Sequence, residues 1–207
     1  VDTCLKSTGK DALKFVGLQG GYFDKPKNSV DYKGIFYDLF HALYIHNNEN
    51  VMPSMQIIET EISKYVDKNL MKCINDFEDI RGLGYKTEIG KFSTIASVAK
   101  DSVVFNLNFP ITVSLEKRSE RIEDFQIKIP SRLDLIHSLS EEITEEQLIH
   151  LDRICVSCLI DLGDENNLYF ELIPRKENIN LIVVEDSQTK LDNEPYLFIF
   201  GFDHKIK

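Results

Sequence analysis

The chain has 207 residues, 43% hydrophobic and 10% aromatic, enough apolar material to bury a full core in one domain. With a formal charge of −10 at pH 7 and no cluster of Lys and Arg, it lacks what grips a phosphate backbone, so no nucleic-acid partner is expected. No stretch reaches the roughly 18 to 20 apolar residues of a membrane-spanning helix. The opening at Val1 has no basic and apolar leader, and it reads as that of a mature or truncated product.

In chain order, Cys4, Leu5, Thr8, Ala12, Phe15 and Val16 recur at three and four and predict a short amphipathic helix over 2–19, with Asp2 as N-cap and Gly20-Gly21 as stop. The stretch 22–51 mixes Gly, Pro, Asn and aromatics without a period and is read as irregular; its 35–45 part fits a short helix or a hairpin. From 54 to 80 the seam Met55, Ile58, Ile62, Tyr65 or Val66, Leu70, Cys73, Phe77, Ile80 holds a helical period after Pro53 and ends at Gly82 and Gly84. Between 85 and 129 the period changes to two, with Val103, Phe105, Leu107 and Phe109 on one face, and three antiparallel strands are expected.

After Pro130, Ser131 and Asp134 look like a capping box for a second long helix through 162. Its seam is Ile136, Leu139, Ile143, Leu148, Leu151, Cys155, Cys158, Leu159, Leu162, and Glu141, Glu142, Glu145 and Glu146 form a charged, solvated face. Residues 168–173, 179–185 and 196–202 then alternate as three more strands. The expected fold class is α+β: two long amphipathic helices each followed by a three-stranded antiparallel meander, plus a short N-terminal helix. It is read as a single domain over 1–207, with 1–130 and 131–207 as candidate halves.

The cysteines carry the most chemistry. Cys4 lies on the stripe of the first helix and Cys73 on the seam of the second, so docking the two helices brings both sulfurs into one interior. A bridge there would contribute roughly 4 kcal/mol by chain entropy; two buried thiols are the alternative. Cys155 and Cys158 form a C-x-x-C that admits three readings: a structural bridge, buried thiols, or a metal or redox pair. Zinc wants four ligands, whereas His137, His150 and His204 are scattered. A redox pair wants its first Cys at a helix N-terminus, yet both residues fall in the last turns of the expected 131–162 helix, so no catalysis is expected of them.

The other candidates carry less. G-x-x-G-G at 17–21 ends a helix and does not lie between a strand and a helix, so it does not cradle a phosphate. His41 and His46 face different ways. The oxygen-rich 161–167 run lacks EF-hand spacing and reads as a C-cap and turn. There is no G-x-S-x-G nucleophile elbow and no N-glycosylation sequon. No cofactor and no metal site is therefore expected, and the chain is not read as an enzyme.

What remains is the aromatic crowd Tyr22, Phe23, Tyr32, Phe36, Tyr37, Phe40 and Tyr44, where large rings in a loop give contact area at small rotamer cost. These residues are the expected interaction surface. The competing reading packs them down as a lid on the core.

Four segments carry a resemblance: C-L-K-S-T-G-K-D-A-L-K-F-V-G-L-Q-G-G-Y-F, I-S-K-Y-V-D-K-N-L-M-K-C-I-N-D-F, R-I-E-D-F-Q-I-K-I-P and I-C-V-S-C-L-I-D-L-G-D-E-N-N-L. Together they resemble a group of archaeal surface proteins of small-genome lineages, in which such an ectodomain follows one N-terminal, pilin-like transmembrane segment. The resemblance implies a membrane tether upstream of Val1, an extracellular location, paired cysteines at Cys4 and Cys73, and a shared turn at Gly20-Gly21-Tyr22. The group has no established activity to transfer. The expected function is a structural or interaction domain at the cell surface, pilin-like or adhesive, with protein partners or self-association. The alternatives are a ligand-binding accessory or receptor domain and, third, a thiol–disulfide oxidoreductase using Cys155 and Cys158.

Overall fold

The computed structural model describes residues 1–33, 38–150, 153–176 and 178–203. Helix α1 (Asp2–Leu18) starts after Val1, with Asp2 in its first turn, and buries Leu5, Ala12, Leu13 and Val16 along one stripe. Gly9 and Gly17 lie on the same stripe because neighbours leave no room for a side chain. A Cβ would stand 3.0 Å from Ile129 Cδ1 at Gly9 and 2.5 Å from the Leu197 carbonyl oxygen at Gly17.

Strands β1 (Ser29–Lys33), β2 (Asp38–His46) and β3 (Glu49–Asn50) occupy the segment read as irregular. Asn47 and Asn48 both take positive φ, as a two-residue hairpin turn between β2 and β3 requires. Helix α2 (Met55–Ile74) follows and buries Ile58, Ile62, Val66 and Leu70. It ends six residues earlier than the expected 80, because Asn75 and then Phe77 adopt left-handed conformations. A 3-10 turn (Asn75–Phe77) and the short α3 (Glu78–Gly82) replace its last part.

The next four strands form one sheet: β4 (Lys86–Ile89), β5 (Ser93–Ala99), β6 (Ser102–Leu115) and β7 (Arg118–Pro130). β4 and β5 lie end to end along one side of β6, and β7 lies along the other. Helices α4 (Leu133–Ile149) and α5 (Val156–Asn166) lead to β8 (Tyr169–Lys176), β9 (Ile179–Leu191) and β10 (Glu194–Asp203). The second sheet runs β1-β2-β10-β9-β8, with β3 against β2, and is antiparallel except where β2 runs parallel to β10.

Among the described residues the fold is thus mixed α/β, with five α-helices and ten strands in two sheets. This overturns the α+β scheme of two long helices each leading a three-stranded meander, for two main reasons. β2 enters the C-terminal sheet beside a strand more than 150 residues away, where His46 Nδ1 meets Asp203 Oδ2 at 2.9 Å. The expected 131–162 helix is broken into α4 and α5. Its N-cap is Arg132, not Ser131, although Ser131 Oγ accepts the Leu133 N–H at 3.3 Å.

One hydrophobic cluster runs through both sheets, with α1 packed against β7 on one side and β10 on the other. α2 lies along β5 and closes its open edge. Glu59 Oε1, Ser63 Oγ and Asp67 Oδ1, one turn apart on α2, accept the N–H groups of Val98, Ala96 and Thr94 at 2.7, 2.9 and 2.8 Å. Alternate amides of an edge strand are thereby satisfied by side chains, which removes a template for pairing with another chain.

Candidate functional site

The break between α4 and α5 builds the most chemically distinctive corner of the molecule. Where α4 ends, the Gln147 side-chain amide donates to the carbonyls of His150 and Arg153, taking up acceptors that a continuous helix would have used. The chain turns and restarts with Cys155 as the N-cap of α5. Its Sγ accepts the Cys158 backbone N–H at 3.3 Å and lies 3.5 Å from Ser157 Oγ. Cys155 and Cys158 are bridged, with Cα atoms 5.2 Å apart, and both are half-buried. The sequence-based placement of this pair late in a helix is therefore corrected: it occupies the first turn, where unpaired amides and the helix dipole stabilise negative charge on sulfur.

The bridge lines a cleft of about 560 Å3 between the C-terminal half of α4 and the length of α5. Among the described residues five solvent-exposed carboxylates line it, those of Glu142, Glu145, Glu146, Asp161 and Glu165, against one arginine, Arg153. His150 Nε2 lies 3.4 Å from Glu146 Oε1. Among the apolar residues that line it, Ile149 is 71% exposed and Ile154 and Leu162 are half-buried; the open Val156 and Ile160 of α5 are not among the lining residues. Single exposed apolar residues are ordinary, but an open Ile149 with Ile154 and Leu162 inside one acidic cleft makes a surface able to hold another chain.

The two bridges differ in energetic weight. Cys4 and Cys73 join the start of α1 to the end of α2, with Cα atoms 5.6 Å apart and a sequence separation of 69. Cys4 is half-buried and Cys73 exposed, so the bridge forms as expected but lies at the surface and not in the interior. Closing a loop of that size stabilises by more than about 4 kcal/mol in the chain-entropy model, whereas the three-residue separation of Cys155 and Cys158 gives about 2 kcal/mol. The first bridge is the staple of the fold. The second contributes half as much and lines the cleft between α4 and α5.

The aromatic candidates land mostly inside. Tyr44 is fully buried and stacks on Phe200 with centroids 4.5 Å apart, its hydroxyl donating to the Gly20 carbonyl at 3.2 Å. Burial raises its pKa well above the ordinary phenol value. Phe40 is 8% exposed and Tyr22 is half-buried. Phe23 is half-buried in a cluster with Phe15 and Tyr65, under the Lys68 ammonium. Among the described rings Tyr32 alone is open, at 37%, with the Arg175 guanidinium over its ring. Phe36 and Tyr37 lie outside the described residues, as do Gly34, Ile35, Leu151 and His204. The described rings therefore pack as the lid on the core, not as one open surface.

The remaining candidates are structural. His41 is buried and donates from Nδ1 to the Leu18 carbonyl at 2.8 Å, and burial holds its pKa below the ordinary value. The 161–167 run continues α5 to Asn166, and Asn167 takes the left-handed C-cap conformation. Among the described residues no group of three or more His, Cys, Asp or Glu is placed to hold a metal ion, and no helix is long and apolar enough to cross a membrane. The residues that sequence reasoning missed are Gln147, Ser157 and the open Ile149. The seam from Leu148 to Leu162 keeps its three-and-four spacing through the break, so no periodicity announced the restart at Cys155. No protein-family model, curated protein or solved structure matches the chain.

Proposed function

We propose that this chain is an extracytoplasmic interaction domain of a surface protein, and that it holds a basic, apolar protein segment in the cleft between α4 and α5. The observation that carries this reading is the pairing of five exposed carboxylates with the open side chain of Ile149 and the half-buried Ile154 and Leu162 at one cleft. Apolar surface flanked by one sign of charge selects apolar segments of the opposite sign and steers their approach. The oxidising compartment is supported by all four cysteines standing in two bridges and by the resemblance to archaeal surface ectodomains. The binding surface thus moves from the aromatic stretch, whose described rings are largely packed inward, to the acidic cleft.

The test is residue-level mapping by NMR with a synthetic peptide of alternating Lys and Leu and its Glu–Leu counterpart. Amide shifts confined to residues 142–165 with the basic peptide, absent with the acidic one, are expected. Shifts scattered over both sheets, or none with either peptide, would overturn the reading.

A further inference from the structure

We propose that the Cys155–Cys158 bridge is a redox-active disulfide that oxidises pairs of thiols in a protein substrate. It shares the cleft with the binding reading but does not depend on it, because exchange with a small dithiol needs no docking.

Three features carry it. The pair spans the first turn of an 11-residue helix, with Cys155 as N-cap. The Cys155 sulfur already accepts the Cys158 N–H at 3.3 Å and has the Ser157 hydroxyl 3.5 Å away, so a thiolate formed there is met by two preplaced donors. The bridge lines an open cleft and closes only three residues at the head of one helix, whereas Cys4–Cys73, although Cys73 is exposed, ties two helices across 69 residues. Stabilising the reduced form in this way makes a disulfide a stronger oxidant. The five carboxylates of the cleft oppose thiolate formation, but they lie exposed in water and are screened by salt, while the two donors act by direct contact.

The chemistry balances as follows. A substrate thiolate attacks Cys155 Sγ, the Cys155–Cys158 bond breaks, and Cys158 leaves as a thiolate that takes up a proton. The second substrate thiolate then attacks the substrate sulfur of the mixed disulfide, and Cys155 leaves as a thiolate facing the Cys158 N–H and the Ser157 hydroxyl. Two electrons pass from the substrate dithiol to the bridge, and the substrate leaves as a disulfide. Glutathione disulfide restores the bridge by the reverse exchange.

The intact chain is equilibrated in glutathione buffers of graded ratio, its thiols are trapped, and each bridge is read by mass spectrometry. The pair 155/158 should be reduced at a glutathione excess at least about tenfold smaller than Cys4–Cys73 requires. A second arm follows oxidation of a short two-cysteine peptide lacking apolar residues, with glutathione disulfide as terminal oxidant. The native chain should accelerate it over glutathione disulfide alone, Cys155→Ser should abolish the acceleration, and Cys158→Ser should accumulate a glutathione adduct on Cys155. Ser157→Ala should slow peptide oxidation while leaving the melting temperature unchanged. A 155/158 bridge as resistant as Cys4–Cys73, or a native chain no faster than glutathione disulfide alone, overturns the proposal. Neither result bears on the peptide-mapping test, which runs with the bridge intact.

Discussion

Arg132 grips Asp186 through two nitrogens: Nε donates to Oδ2 at 3.1 Å and Nη2 donates to Oδ1, and the carboxylate is fully buried on β9. The same guanidinium donates to the carbonyls of Asn166 and Asn167 at 2.9 and 3.1 Å, so one side chain fastens the end of α5 and the start of α4 to the sheet. The pair thereby anchors the C-terminal end of α5, the helix that lines one side of the cleft. Arg132→Met leaves a buried carboxylate without its cation and should lower the unfolding free energy by about 3–5 kcal/mol. Chemical denaturation measures it, and a loss under about 1 kcal/mol would contradict the role assigned to the pair.

The pair also sets an acid limb. Burial alone would raise the Asp186 carboxyl, but hydrogen bonds from Arg132, from Thr189 and from the Gln188 N–H outweigh it and hold it below its ordinary value. Since the folded value lies below the unfolded one of about 3.9, the stabilisation is complete above that pH and is lost as pH falls through the folded value. Melting temperatures taken from about pH 6 down to pH 2 should therefore fall less steeply in Asp186→Asn than in the native chain. A variant as acid-sensitive as the native chain would assign the limb to other groups.

The two bridges should separate in stability. Cys4→Ser removes the long-loop constraint, and at about 4 kcal/mol and 2–4 °C per kcal/mol the melting temperature should drop by roughly 10 °C. Cys158→Ser should cost about half that or less. Equal losses would contradict the ranking of the bridges.

On the edge of β5, Ser63→Ala strands the buried Ala96 N–H without an acceptor and should cost about 1–3 kcal/mol. Replacing Glu59, Ser63 and Asp67 together by Ala exposes three alternate amides, and light scattering should then detect association through the β5 edge. A triple variant that stays monomeric while losing stability would show that the edge is protected by packing alone.

Much of this was legible in the sequence, and what was not has identifiable causes. The stripe of α1 and the alternation of β6 are short-range patterns, and a period of three to four or of two reveals them. β2 hides because residues 40–45 are buried without a break, and a strand covered on both faces shows no alternation. Its parallel place beside β10 depends on contacts far along the chain. The restart at Cys155 hides for the opposite reason, a helical seam that persists where the helix does not. The Tyr22 to Tyr44 rings were recognisable as a cluster, but composition does not say which way a ring faces. Tyr44→Ser should accordingly cost about 3–5 kcal/mol by leaving a cavity against Phe200.

The most direct measurement of the central claim is calorimetric titration of the Lys–Leu and Glu–Leu peptides into the native chain and into a Glu142→Lys, Glu146→Lys variant. If the acidic cleft selects its partner by charge, the native chain binds the Lys–Leu peptide, and the variant weakens that Kd by at least about tenfold while gaining affinity for the Glu–Leu peptide. A variant that keeps the native preference, with Kd unchanged for both peptides, would contradict the assignment of the α4–α5 cleft as the binding surface.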